Sequence, residues 1–273
     1  VNNGSTPRNN GGTPLHIACQ KGHLEVVKAF LNNNKVDLNK GKNNGVTPLY
    51  LAVQLERFEI VKALLNNDKV DVNIQDGDKC DALIIASSLG MKEVVLTILE
   101  KDGVNVNIQD VWGITPLMRA IGHGQEEIAL TLLKKEEVKV NIQDKNGDTA
   151  LIGAIERCQK EVALAILEKG EVEVNAKNQE EHTALTMAIG RDQKEVALAI
   201  LKNDEVNVNA RGPEDTTPLM MAIERGQGEV ALAILKNDEV NVNALAPGDK
   251  TPLMIAIERG QGEVALAILK NDE

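Results

Sequence analysis

The sequence predicts an all-α fold in which helix–turn–helix repeats stack side by side. Three observations predict it: a motif that recurs every 34 residues, apolar residues at helical spacing within each repeat, and an aromatic content of only 1%. One such repeat is too small to bury its apolar face, but a row of repeats buries a continuous core. We therefore expect a solenoid whose helix pairs are joined by short β-turn fingers.

Each repeat opens with the same short motif. Thr-Pro-Leu begins at Thr13, Thr47, Thr115, Thr217 and Thr251, Thr-Ala-Leu at Thr149 and Thr183, and Asp-Ala-Leu at Asp81. No insertion or deletion breaks this register. We therefore divide the chain into residues 1–12, a lead-in or the remnant of a preceding repeat, and a domain of residues 13–273. Its repeats start at 13, 47, 81, 115, 149, 183, 217 and 251.

Three further columns recur in phase with this motif, and each has a structural explanation. They are an Ala column from Ala18 to Ala256, a Glu column from Glu25 to Glu263, and an Asn column from Asn39 to Asn243. The first residue, Thr or Asp, is a good helix N-cap. We expect the Glu in the first turn of the second helix, where its charge suits the helix dipole. We expect the Asn to bind loop backbone and to connect neighbouring repeats.

The seventh repeat illustrates the predicted secondary structure. Its apolar spacing predicts a first helix over Pro218–Arg225 and a second over Glu229–Leu235, with a tight turn at Gly226 between them. Val230 and Ile234 then share the apolar face of the second helix. The stretch that follows is predicted to be loop and short extended chain.

Composition restricts the choice of partner. The chain has 41 acidic and 30 basic residues, a formal net charge of −11, whereas a nucleic-acid-binding surface needs a basic stripe. We therefore expect neither nucleic acid nor an anionic membrane as partner, and we regard a basic protein surface as the electrostatic complement. Cys19, Cys80 and Cys158 are too far apart for a disulfide framework or a zinc motif, which favours a reducing, cytoplasmic location.

No catalytic pattern is present in the sequence. The four His residues (His16, His23, His123 and His182) form no pair at metal-ligand spacing, and no glycine-rich phosphate loop occurs. The carboxylates are scattered rather than paired, which is weak evidence for acid–base chemistry. We therefore predict a protein that is not an enzyme and that needs no cofactor or metal.

Several segments resemble the ankyrin repeat, whose signature is T-P-L-H-x-A. The resemblance is carried by Thr13–Ala18, Gly22–Val27 and Val70–Asn73 and extends in register from residue 13 to residue 273. The repeat is one residue longer than the family period of about 33, and the signature His survives only as His16. The resemblance implies protein recognition on a concave face made of finger tips and the exposed side of each first helix.

One mixed aromatic and cationic cluster is the candidate contact surface. Trp112, the only Trp of the chain, occupies a finger tip between Val111 and Ile114, and Trp is a frequent hot-spot residue. Arg119 and His123 are expected on the adjoining first helix, and Tyr50 and Leu55 extend the cluster toward the N-terminus. In the alternative interpretation Trp112 lies flat on a neighbouring finger and the cluster is only a solvated surface.

A column of four arginines is the second candidate. It consists of Arg157, Arg191, Arg225 and Arg259. The column is able to hold an acidic peptide through charge-assisted hydrogen bonds. It is equally able to form Arg–Glu pairs between repeats, which contribute little each, and the duplication of the repeats favours this second interpretation.

Three hypotheses about function remain open at this point. The chain is a binding module, a structural spacer in a larger multidomain or effector protein, or an engineered, consensus-like scaffold without a native ligand. The near-identity of repeats seven and eight favours the last two at that end. The apolar helix Val264–Leu269 adds a further hypothesis, a longer array or end-to-end self-association, because capping repeats normally have a polar outer face.

Overall fold

The computed structural model describes residues 11–271 and is helical throughout. The chain divides into two compact subdomains, Val1–Val138 and Lys139–Glu273. The first contains α1 (Pro14–Lys21), α2 (Leu24–Leu31), α3 (Pro48–Gln54), α4 (Phe58–Leu65), α5 (Ala82–Leu89), α6 (Lys92–Leu99), α7 (Pro116–Gly122) and α8 (Glu126–Leu133). The second contains α9 (Ala150–Glu156), α10 (Lys160–Leu167), α11 (Ala184–Gly190), α12 (Lys194–Ile200), α13 (Pro218–Glu224), α14 (Gly228–Ile234), α15 (Pro252–Glu258) and α16 (Gly262–Asn271), with a 3₁₀ turn at Pro213–Asp215.

Within each subdomain the helices form two layers. The first helices of the repeats pack side by side, α1 against α3, α3 against α5 and α5 against α7, and the second helices form a parallel row of α2, α4, α6 and α8. The second subdomain repeats this arrangement with α9 to α16. The predicted helical repeats are therefore confirmed. The lead-in predicted for residues 1–12 lies almost entirely outside the described residues.

The first residue of each repeat caps a helix, as predicted. Thr47 Oγ1 accepts the backbone N–H of Tyr50 at 3.1 Å, and Asp81 Oδ1 accepts that of Ile84 at 2.8 Å. Thr occupies this position in all other repeats and accepts the corresponding N–H. Replacing such a cap by Ala typically costs about 1 kcal/mol, so the column sets where every first helix begins.

The predicted helix boundaries are correct to within one residue in repeat seven. Helix α13 ends at Glu224 with Arg225 as its C-cap, and α14 begins at Gly228 rather than Glu229. The stretch after α14 is loop and turn, as predicted. Among the described residues one isolated bridge, Ala246 to Lys250, is the whole β-content. The fingers turn too tightly to form a ladder, and their polar groups are satisfied by turns and side chains instead.

The Ala column is buried between packed helices. Ala52, Ala120, Ala154 and Ala222 are completely buried, and a larger side chain at these positions would separate the helices. Leu and Ile residues such as Leu83 and Ile155 fill the remaining interior. Each of these larger side chains contributes roughly 1.5–3 kcal/mol when it is removed from water, so the core is built from many small, repeated contributions.

The Asn column connects successive repeats through its side-chain amides, which confirms the prediction, and Asn175 and Asn209 each make two such hydrogen bonds. Asn175 Nδ2 donates to the Glu205 carbonyl oxygen at 2.7 Å, and its Oδ1 accepts the backbone N–H of Asn207 at 2.7 Å. Asn209 makes the same pair of bonds with Glu239 and Asn241 one repeat later. Because the amide supplies a donor and an acceptor, it fixes the position of the next loop in two directions.

The turns between the two helices of a repeat need a left-handed backbone. Gly226 adopts φ 71°, but Glu56, Cys158 and Asp192 adopt φ 52°, 56° and 57° at the equivalent positions. A residue with a Cβ is disfavoured in this region, whereas Gly is not. Three of the repeats therefore carry backbone strain at this turn, where the others have Gly.

Removing this strain is expected to stabilise the chain. Glu56→Gly should raise the free energy of unfolding by about 1 kcal/mol because Gly adopts positive φ without a steric penalty. The matched control is Gly226→Ala, where an added Cβ meets no atom within 4 Å, so its expected loss of about 1 kcal/mol reports backbone strain alone. Urea unfolding measures both changes, and a Glu56→Gly variant that is less stable than the wild type would contradict the assignment.

Candidate functional site

The finger before repeat four is organised by one buried carboxylate. Asp110 Oδ1 accepts the backbone N–H groups of Trp112 at 2.8 Å and of Ile114 at 3.0 Å. Its Oδ2 contacts Nη2 of Arg119 on α7 in an ion pair. The Asp110 side chain is 1% exposed, and these charge-assisted bonds are stronger than neutral ones. The carboxylate therefore holds the finger tip in one geometry above α7.

The role of Asp110 was not predicted from the sequence, although a signal for it was present. Asp76 and Asp144 stand one repeat before and one repeat after it. Each of them accepts two backbone N–H groups of its own finger, at 2.8–3.0 Å, through Oδ1. An Asp at a fixed distance before three successive tips is therefore the signature of a carboxylate-braced finger.

The braced finger presents Trp112 to solvent. The indole side chain is 62% exposed, whereas Val111 and Ile114 on either side are only partly exposed. The Val111 N–H donates to the Asp78 carbonyl oxygen of the preceding finger at 2.9 Å, so adjacent fingers are bonded to each other. The predicted exposure of the tip is confirmed, and a large apolar ring lies on a backbone that is already ordered.

The two cations of the cluster differ from each other. Arg119 lies on the first helix beside the finger, as expected, but its ion pair with Asp110 leaves the side chain only 24% exposed. The Arg119 side chain therefore mainly positions the finger. His123, the C-cap of α7, is exposed, and its Nδ1 donates to the Arg119 carbonyl oxygen at 3.0 Å. His123 is thus the more accessible of the two polar groups.

Tyr50 does not belong to the accessible surface, which corrects the sequence prediction. It is only 6% exposed and packs with Val46 and Leu51, to which Cys80 and Ile85 add partly buried contacts. Burial is the main cause that raises the pKa of its hydroxyl, with the charge and hydrogen bond of Asp76 adding to it. Leu55, in contrast, is 38% exposed at the end of α3 and remains a candidate contact.

The four arginines of the second subdomain occupy one repeated structural position. Arg157, Arg191, Arg225 and Arg259 are the C-caps of α9, α11, α13 and α15, and all four are exposed. Arg191 Nη2 lies 3.4 Å from Glu156 Oε1 of the preceding repeat, which supports the interpretation as Arg–Glu pairs at this step. A cation also suits the negative end of a helix dipole.

A polar cavity lies beside this column within the second subdomain. It has a volume of about 310 Å³ and is lined by Asn146, Asp148, Glu156, Asn178, Gln179, Glu180 and Met187. Asn178 Nδ2 donates to Asp148 Oδ1 at 2.8 Å. Burial raises the pKa of Asp148, the hydrogen bond from Asn178 lowers it, and nearby carboxylates such as Glu156 raise it further. The cavity therefore has an anionic character that its own amide groups only partly offset.

Over residues 11–271, no three His, Cys, Asp or Glu side chains are grouped so that they could hold a metal ion. In the same part of the chain, no helix is both long and apolar enough to cross a membrane. Cys19, Cys80 and Cys158 are free cysteines.

The comparisons with known proteins agree with the repeat architecture. A family model described as ankyrin repeats, in three copies, matches residues 1–76, 83–178, 136–212, 170–246 and 205–273. These overlapping matches cover far more than half of the chain. No curated protein matches the sequence.

Proposed function

The chain belongs to the ankyrin-repeat family, and we propose that it is a non-catalytic module that binds a partner protein or peptide on its groove surface. Ankyrin repeats are generally protein–protein interaction modules. The observation that carries the proposal is Trp112, a solvent-exposed indole on a finger whose backbone is fixed by Asp110. An ordered aromatic anchor binds at a smaller entropic cost than a mobile one.

Val111, Ile114, Arg119, His123 and Leu55 complete the proposed contact surface around Trp112. Half-buried apolar groups beside an exposed ring are the composition expected at the centre of an interface, and His123 supplies a polar contact at its rim. Arg119 contributes mainly through Asp110, because that ion pair maintains the finger on which Trp112 lies.

We propose a basic surface as the chemistry of the partner. The net charge of −11 and the anionic cavity beside Glu156 support it, since opposite charge steers association and suppresses wrong partners. The arginine column is a cationic part of this otherwise acidic chain. Acidic groups within an otherwise basic partner are therefore proposed to contact Arg157, Arg225 and Arg259.

The alternatives concern the second subdomain in particular. Repeats seven and eight differ at one position between Thr217–Glu239 and Thr251–Glu273, which favours a spacer or a consensus-like scaffold there. We propose that the chain consists of a lead-in, residues 1–12, and eight repeats. We also propose a cytoplasmic location, because the three cysteines are free.

Trp112→Ala should abolish partner binding with little loss of stability, because Trp112 is 62% exposed. Phe58→Ala is the matched control, since Phe58 is 56% exposed on α4, away from the finger tips. Proteins captured by the wild-type chain are compared with those captured by each variant. The emission of Trp112, the only Trp, should shift to shorter wavelength on binding. Unchanged capture by Trp112→Ala, or an equal loss with Phe58→Ala, would refute the groove proposal.

A second proposal is end-to-end self-association through the last repeat. Ile257 and Leu266 are 66% and 62% exposed, and Met254 and Leu269 are exposed beside them. One repeat earlier Met220, Ile223 and Leu235 are buried, where α13 and α14 pack against α15 and α16. The face therefore carries the side chains of an interface between repeats, and apolar patches of this kind are typical of interaction sites.

Sedimentation tests this second proposal independently of the first. The wild-type chain should form dimers or larger species as its concentration rises, and Leu266→Glu should shift it toward monomer because a charge cannot be buried in that face without a partner. Leu245→Glu is the control, since Leu245 is exposed in the preceding finger. A wild-type chain that stays monomeric over the whole range would contradict the proposal.

A further inference from the structure

The helix cap of repeat three is a buried carboxyl group. Asp81 is completely buried, and it replaces the Thr that begins every other repeat. Its Oδ1 accepts the backbone N–H of Ile84 at 2.8 Å, as a Thr hydroxyl would. Its Oδ2 is buried and has no hydrogen-bond partner among the described residues, and the same is true of the Ser87 hydroxyl on the same helix. A Thr would place a methyl group in this space instead.

An unpartnered oxygen in this position destabilises the charged form of Asp81 relative to the neutral form. A buried carboxylate with one unsatisfied oxygen has lost water without replacing it, and this penalty falls mainly on the charged form. The neutral acid is much less affected. Burial raises the pKa of Asp81 to about 7, and the backbone N–H groups of Ile84, Leu83 and Asp81 itself oppose the shift without cancelling it.

The charged and titratable groups on the elements around α5 do not provide a counter-ion. They are Tyr50 on α3, Arg119 on α7, Lys92 and Glu93 on α6, and Asp76, Asp78, Lys79 and Cys80 in the preceding finger. Arg119 is already paired with Asp110 and Lys92 with Glu127. The ionisation of Asp81 is therefore governed by its burial and by the backbone N–H groups at the start of α5.

Asp81 lies between a finger and a helix that both pack against the preceding repeat. Cys80 and Ile85 pack against the cluster of Val46, Tyr50 and Leu51. The Cys80 N–H also donates to Asp76 Oδ1 at 2.9 Å, within the same finger. A change in the cap is therefore expected to affect both the finger that contains Cys80 and the first turns of α5.

We propose that Asp81 is a proton-sensitive cap, which stabilises repeat three while it is protonated and weakens it when it ionises. Ionisation breaks the O–H bond of the carboxyl group, releases the proton to water and leaves a carboxylate in a site without a counter-charge. Repeat three would thus lose stability as the pH rises from about 4 to about 7. This inference does not depend on the proposed partner binding.

The sign follows from linkage. The carboxyl group of the folded chain titrates at about 7 and that of the unfolded chain near the ordinary value of 3.8, so between these values the folded state binds more protons. Stability therefore decreases as the pH rises from about 4 to about 7 and is level above that. Over the whole window the contribution of Asp81 to the unfolding equilibrium constant changes by up to about a thousandfold.

Asp81→Thr and Asp81→Asn test the proposal against the wild type. Unfolding by urea is measured between pH 4.5 and 8.5, and the difference between the wild type and each variant cancels the titration of all other groups. Asp81→Thr, which restores the usual cap, should gain most stability relative to the wild type at pH 8 and least at pH 4.5. Asp81→Asn, which cannot ionise, should also lack this component of the pH dependence.

A matched variant and a local measurement complete the experiment. Thr149→Asp introduces the same residue at the buried cap of α9 and should create the pH dependence that Asp81→Thr removes. In the wild type, hydrogen exchange at the Ile84 amide, corrected for its intrinsic pH dependence, should accelerate between pH 5 and 8 relative to the Ile152 amide, which Thr149 caps. Parallel pH profiles for wild type and Asp81→Thr, or equal behaviour of the two amides, would overturn the proposal.

Discussion

The structure depends on one constraint: a single helix pair cannot bury its apolar face except against the next pair. Every recurring column serves that packing. The Ala column allows the helices to approach, the Thr column starts each first helix at the same point, and the Asn column fixes the next loop with two hydrogen bonds. Because no repeat is stable alone, stability spreads through contacts between neighbours, and the surface side chains are left free to vary.

The proposed contact surface differs from the other repeats in its exposed side chains but keeps the same repeated backbone contacts. Asp110 takes part in the repeated bracing of the fingers, as Asp76 and Asp144 do, but in repeat four it also holds Arg119. The same carboxylate thus satisfies the finger backbone and orders the base of the Trp112 tip. The first subdomain combines this anchor with diverse side chains, whereas the second repeats one arginine at each first-helix end.

Helix positions, caps and the Asn connections were predictable because they follow from local chemistry repeated in register. The burial of Tyr50 was not predictable, because only the structure shows that His16, in the same column, has a buried ring bonded to the Val46 carbonyl oxygen. The pairing of Arg119 with Asp110 was not either, because it joins a finger to a helix across nine positions of the chain. The unpartnered oxygen of Asp81 required the three-dimensional packing, since a capping Asp and a capping Thr look alike in sequence.

The dependence of each repeat on its neighbour is tested most directly at Asn209. Its side chain bonds Glu239 and Asn241 of the next repeat, whereas the Oδ1 of Asn207 accepts the Asn209 N–H within its own loop. Hydrogen exchange should show that Asn209→Ala exposes the Asn241 amide, one repeat away, and lowers stability by about 1–2 kcal/mol. Asn207→Ala should affect only its own loop. An Asn241 amide that stays equally protected in both variants would contradict the account.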